Sequence, residues 1–128
     1  MGNDMPVATL TFESDIRAGQ VRPAMSFNQK VWAMTARVPA GCVTTYAEIA
    51  RALGSKGYRA VGNALNRNPY APQVPCHRVV GSNGNLTGFA GGLELKKTML
   101  AKEGITVKNG RAAVESFYRF PQSRVRRS

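Results

Sequence analysis

The sequence predicts a mainly α fold built around a helix-turn-helix (winged-helix-like), with short β segments. Three observations lead there. Between residues 26 and 66 apolar stripes of helical period recur, two of them opened by a capping signature. Two of those helices are short and joined by a glycine-containing turn, the layout of a helix-turn-helix. Past Asn68-Pro69 the helical period gives way to short runs bounded by proline and glycine. The chain also holds 18 Lys plus Arg against 7 Asp plus Glu, a formal charge of +11 that points to a polyanionic partner such as nucleic acid or anionic lipid.

Taken in order, residues 1–25 form a leader with three acids and two bases, too weakly patterned to assign. Ser26 with Gln29 is a capping box, and Val31, Trp32, Thr35 and Val38 form the stripe behind it, stopped by Pro39-Ala40-Gly41. Thr45 with Glu48 is a second capping box, opening a short helix with Ile49, Ala50 and Leu53 inward and Gly54 at its end. After the Gly54–Gly57 turn, Tyr58 to Asn66 is a third helix with Val61, Ala64 and Leu65 on its inner face. Arg59 and Arg67 on that helix, in a chain so basic, favour DNA.

Val79-Val80 is a short buried strand, and Ser82-Asn83-Gly84-Asn85 a turn. Gly88-Phe89-Ala90-Gly91-Gly92 is a glycine-rich loop without phosphate-loop spacing, suited to close backbone approach to a ligand. Leu93 to Glu103 is a helix with Leu93, Met99 and Leu100 inward and Gly104 as its C-cap. Asn109-Gly110 turns a small hairpin. The expected division is a leader (1–25), a body (26–107) and a basic C-terminal segment (108–128), the last either a solvated tail or a phosphate-contacting arm.

At 128 residues one domain is expected, able to bury about two thirds of its unfolded surface without disulfide or metal. No apolar run approaches the roughly 20 residues of a bilayer-spanning helix, and residues 1–20 lack a basic-then-apolar signal pattern. Cys42 and Cys76 do not make a secreted disulfide framework, so the expected setting is a reducing cytoplasm. One histidine and two cysteines 34 positions apart do not make a zinc spacing, and dinucleotide and phosphate-loop fingerprints are absent, so neither metal nor cofactor is expected.

Chemistry concentrates at Cys76-His77. A thiol attacks as its thiolate, and an imidazole is the natural proton acceptor near neutral pH. If the segment is extended, adjacent side chains point to opposite faces, so a bend at Pro75 or a bridging water is needed. An acid from a separate helix would orient the imidazole, and Glu103 is the candidate. A small buried cysteine beside a structural histidine is the competing reading of these residues. Cys42 has no imidazole near it in sequence and is read as structural or exposed.

Pro75-Cys76-His77-Arg78-Val79-Val80, then Gly88-Phe89-Ala90-Gly91-Gly92-Leu93 and Lys102-Glu103-Gly104, closely resemble the catalytic domain of O6-alkylguanine-DNA alkyltransferases. Val38-Pro39-Ala40-Gly41, Thr44-Thr45-Tyr46 and Arg59-Ala60-Val61-Gly62 through Asn68-Pro69 resemble it in the same order, so the resemblance covers roughly Phe27 to Ile105. It implies that Cys76 is the alkyl acceptor, His77 its base through a bound water, and Glu103 the end of the relay. Asn68 would be the hinge between recognition helix and reactive segment, and Arg59 the finger that fills the space of an extruded guanine. Tyr46 would help rotate the nucleotide and bond the guanine ring; the main chain of Cys76 and Val79 would read its exocyclic amine. The amide of Ala90 would face O6, Phe89 and Leu65 would line the pocket, and Thr45, Lys56 and Arg67 would hold phosphates.

The implied activity is single-turnover repair of duplex DNA containing O6-alkylguanine by a monomer, without cofactor or membrane. Many members carry a further N-terminal α/β domain for which the leader is too short, so a free-standing catalytic domain is expected. Ala90 stands where some members have a serine, leaving the amide but no hydroxyl. The alternative is a non-enzymatic sensor like the alkyltransferase-like proteins, which replace the reactive cysteine, usually by tryptophan; Cys76 argues against it. A plain winged-helix regulator would leave Cys76, His77 and Glu103 without a purpose.

Overall fold

Local chemistry accounts for most of the elements in the computed structural model, which describes residues 12–55, 57–87 and 92–121. A five-residue helix, α1 (Glu13–Arg17), buries Ile16 against Met25, Ala33 and Val74. Residue 25 is therefore no edge of the packed body: from Phe12 onward the leader folds onto the next helix. That helix, α2 (Phe27–Thr35), has both arms of its capping box, Gln29 N to Ser26 Oγ at 3.1 Å and Ser26 N to Gln29 Oε1 at 2.9 Å. Its buried stripe is Val31, Ala33, Met34 and Thr35, while Trp32 is half-buried and donates Nε1 to the Ala64 carbonyl at 2.7 Å.

Helix α3 (Tyr46–Ala52) and helix α4 (Tyr58–Asn66) are the two arms of the helix-turn-helix. At α3 the expected capping box is only half made. Thr45 Oγ1 accepts Glu48 N at 2.9 Å, but the Glu48 carboxylate turns to Arg51 at 2.6 Å and to Phe120 N at 2.8 Å. A charged fork and a distant amide hold it in place of its own N-cap amide. Ile49, Ala50, Val61, Ala64 and Leu65 face the main core with Val31, Met34, Val38, Val79 and Phe120.

Strand β1 (Thr44–Thr45) pairs in parallel with β2 (Val79–Val80), Thr44 opposite Val79 and Thr45 opposite Val80. Val43 also bridges Phe117 in parallel, so the segment after residue 113 lies along the other side of β1. Helix α5 (Leu93–Lys102) buries Leu100 and half-buries Met99, but Leu93 is exposed at 48%. The expected inward Leu93 is thus corrected: the inner face of α5 is set by Lys96 and Leu100, four residues apart, and both are fully buried. Strands β3 (Val107–Lys108) and β4 (Arg111–Ala112) form the terminal hairpin across Asn109 and Gly110, both at positive φ as a tight two-residue hairpin turn demands. Gly84 is packed against this hairpin; at φ +88° a Cβ there would lie 2.7 Å from the Ala112 carbonyl oxygen, a space only glycine leaves free.

Candidate active site

Cys76, His77 and Arg78 form one 3-10 turn immediately before β2, not the extended segment the residues suggested. Pro75 begins it, Cys76 N donates to the Val74 carbonyl at 2.9 Å and Arg78 N to Pro75 at 2.8 Å. The turn removes the alternation that would set neighbouring side chains on opposite faces. Cys76 is a free thiol and half-buried, packed at the margin of the main core; His77 is 3% exposed.

Glu103 follows α5 as its cap, before Gly104 at φ +83°. Its Oε2 lies 2.9 Å from His77 Nε2. Arg78 holds the same carboxylate with two prongs, Nε to Oε1 at 2.9 Å and Nη2 to Oε2 at 2.7 Å, while Nη1 reaches the Val38 carbonyl at 2.7 Å. Burial alone would raise the Glu103 pKa; the bonds and charges of Arg78 and His77 outweigh it and hold the group at about 2. For His77, burial is the main influence and lowers its pKa below the ordinary 6.5, with Glu103 opposing. The pair is therefore a carboxylate and a neutral imidazole near pH 7. A carboxylate can only accept, so His77 Nε2 carries the proton and Nδ1 is left as the acceptor.

Asn68 ties the end of α4 to this turn: Nδ2 donates to the Val74 carbonyl at 2.8 Å, and Oδ1 accepts Tyr70 N at 2.8 Å. Tyr46, first residue of α3, has its hydroxyl 3.2 Å from Thr87 Oγ1, and burial raises its pKa, keeping the phenol protonated. Leu65 and Val79 are buried in the core that the half-buried Cys76 packs against. Arg59 is exposed on α4 and Arg67 at its C-cap, whereas the Thr45 hydroxyl oxygen caps α3. Lys56, Phe89 and Ala90 lie outside the described residues.

Sequence reasoning missed three groups here. Arg78 orients Glu103 as directly as His77 does, and its place next to the only histidine was the available signal. Lys96 is fully buried, with Nζ 2.6 Å from the Val79 carbonyl and 2.7 Å from that of Thr87; its phase with Leu100 could have shown it inward. Burial brings its pKa down to about 8. Thr87 had no signal beyond its position before the glycine-rich run. Among the described residues no three His, Cys, Asp or Glu are grouped to hold a metal, and no helix is long and apolar enough to cross a membrane.

Comparison with known proteins shows what the chain is similar to. A methylated-DNA–protein-cysteine methyltransferase of Methanosarcina acetivorans is 45% identical over 97 residues, 73% of this chain and 62% of that protein. One of Salmonella typhimurium is 47% identical over 79 residues, 61% of this chain and 46% of that protein, so the chain spans about half the length of such curated relatives. Mycobacterium tuberculosis OGT in complex with DNA superposes with a TM-score of 0.60 at 37% identity, over 75% of this chain and 65% of that one. S. pombe Atl1, solved with damaged DNA containing O6-carboxymethylguanine, superposes with a TM-score of 0.64 at 31% identity, over 73% of this chain and 95% of that one. A family model described as the DNA binding domain of 6-O-methylguanine DNA methyltransferase matches residues 26–105, and the chain belongs to that family.

Proposed function

We propose that this protein removes a methyl or larger alkyl group from O6 of guanine in duplex DNA and keeps it on the sulfur of Cys76. The observation that carries the reading is a half-exposed thiol in one turn with an imidazole whose far nitrogen is held by an ionised glutamate. His77 Nδ1, free to accept, takes the thiol proton through a water; Glu103 stabilises the charge that develops on the ring. The thiolate attacks the saturated alkyl carbon, a C–S bond forms, and the C–O6 bond breaks with its electron pair remaining on guanine, which takes up one proton. A thioether offers no carbonyl to water, so each molecule reacts once.

A base within the stack is out of reach of a sulfur, so the nucleotide must be extruded, at a cost of a few kcal/mol offset by insertion and phosphate contacts. Arg59, exposed on α4, is the inserted side chain; Arg67 and Lys56 hold phosphates, and Thr45, whose oxygen accepts Glu48 N, has its own O–H to donate to one. Asn68 fixes the reactive turn relative to α4, and Tyr46 steers the rotating nucleotide and bonds its ring. The backbone of Cys76 and Val79 reads the exocyclic amine, the Ala90 amide faces O6, and Leu65 and Phe89 line the pocket. The reactive and DNA-contacting residues all fall within 26–107, braced by the packed segments on either side, and the protein acts as a cytoplasmic monomer on double-stranded DNA. The likeness to S. pombe Atl1 supports a second reading, lesion recognition without transfer, against which Cys76 stands. The test is stoichiometric: lesion lost from an O6-methylguanine duplex plateaus at one per protein molecule. Lesion bound and never lost supports the second reading.

A further inference from the structure

We propose that Lys96 is a positioning residue that latches the segment entering the glycine-rich loop onto the turn bearing Cys76, with Thr87 carrying the latch on to Tyr46. The inference rests on the alkyl-transfer reading and adds to it a residue that touches no substrate.

The side chain of Lys96 is completely enclosed, where an ammonium is costly and a leucine or methionine would fill the same stripe beside Leu100 without that cost. What the ammonium does there is bridge. One bond goes to Val79, the residue directly after the reactive turn, and one to Thr87, directly before Gly88. A single charged group thus ties together two chain segments, one leaving the reactive turn and one leading to Gly88. Thr87 then donates its hydroxyl to the Tyr46 phenol, so the same chain of bonds reaches the N-terminus of the first helix of the helix-turn-helix.

The charge of Lys96 also reaches the reactive turn, where it adds to the lowering of the His77 pKa. Lys108, on the hairpin strand beside α5, is exposed, and Tyr46 meets the latch through Thr87. With its pKa brought down to about 8 by burial, Lys96 loses its proton within a range where transfer can be assayed.

Single-turnover transfer is measured for the wild type, Lys96→Met, Lys96→Arg and Thr87→Val, on O6-methylguanine duplex and on free O6-methylguanine base, from pH 6.5 to 9.5. Lys96→Met is expected to slow transfer by about tenfold to a hundredfold on both substrates, the size of effect that misplaced reacting groups give. Binding to undamaged duplex stays within about twofold, because a buried residue contributes nothing to the phosphate face. The wild-type rate falls above about pH 8 as Lys96 discharges, and Lys96→Arg, which stays charged, transfers without that fall. Thr87 is exposed, so Thr87→Val keeps the fold and loses only the bond to Tyr46, slowing transfer about threefold to tenfold. A folded Lys96→Met that matches the wild type overturns the latch. Should that variant not fold, an unchanged alkaline fall in Lys96→Arg with a wild-type rate in Thr87→Val overturns it equally. A wild type that transfers nothing defeats the alkyl-transfer reading itself, an outcome distinct from a failed latch beneath a working transferase.

Discussion

The imidazole of His77 and the carboxylate of Glu103 meet at 2.9 Å although 26 positions separate them in sequence. Arg78, the next residue, grips the same carboxylate with two prongs, so one glutamate orients the two residues that follow Cys76. The arrangement fixes which ring nitrogen of His77 is protonated. Glu103→Gln removes the charge and leaves the Arg78 fork half-matched. Transfer from lesion duplex should slow by about 10²-fold, the low end of what a positioned base contributes. Single-turnover rates at pH 7.5 decide it, and a rate within a few-fold of wild type would mean that the relay is not used.

Acid should destabilise the fold in two steps. Both partners have folded-state pKa values below their ordinary ones, His77 below 6.5 and Glu103 at about 2 against 4.5. The unfolded chain therefore binds protons that the folded chain refuses, and stability is lost as pH falls. The His77 contribution starts to go below pH 6.5, and that of Glu103 drains away between about pH 4.5 and 2. Urea midpoints at pH 7, 5 and 3 should decline in that order, with a shallower decline from 5 to 3 in Glu103→Gln. A midpoint independent of pH would contradict the assigned protonation states.

The segment after residue 113 is structural as well as basic. Phe120 is 3% exposed in the main core, its amide meets Glu48, and its carbonyl accepts Arg51 at 3.1 Å. Phe120→Ala should cost about 3 kcal/mol through the emptied core site, read as a lower urea midpoint. A change under about 0.5 kcal/mol would show that the segment is a loose tail.

For Arg59→Ala the expected loss depends on the substrate. Arg59 is exposed on α4 with nothing to support in the fold, so stability should hold within about 0.5 kcal/mol. Repair of lesion duplex should slow much more than reaction with free O6-methylguanine base, since only the duplex requires extrusion. Equal slowing on the two substrates would remove the finger role.

Much of the helical layer was legible in the residues because caps and stripes are local. Ser26, Thr45, Gly54 and Gly104 mark helix ends by their own chemistry, and Asn109-Gly110 marks its hairpin. The pairing of β1 with β2 was not legible. Two-residue strands carry no period, and their parallel register is set by packing between distant segments. The same holds for Glu48, whose capping spacing is real but whose carboxylate is captured by Phe120 from 72 positions away. At the site, Cys76, His77 and Glu103 could be named from their chemistry, yet the turn joining them could not, since an extended reading of Pro75-Cys76-His77 is locally just as good. Lys96 was overlooked because a lysine on a helix is ordinarily read as solvent-facing; only the two carbonyls awaiting it inside reverse that reading.

Intact-mass analysis after incubation with duplex bearing one O6-methylguanine bears most directly on the central idea, that this sulfur receives what the base gives up. The protein should gain a single CH2 increment, mapped by peptide fragmentation to Cys76, with unmodified guanine left in the DNA. An unchanged mass at saturating lesion, or an increment mapped to Cys42, would contradict it.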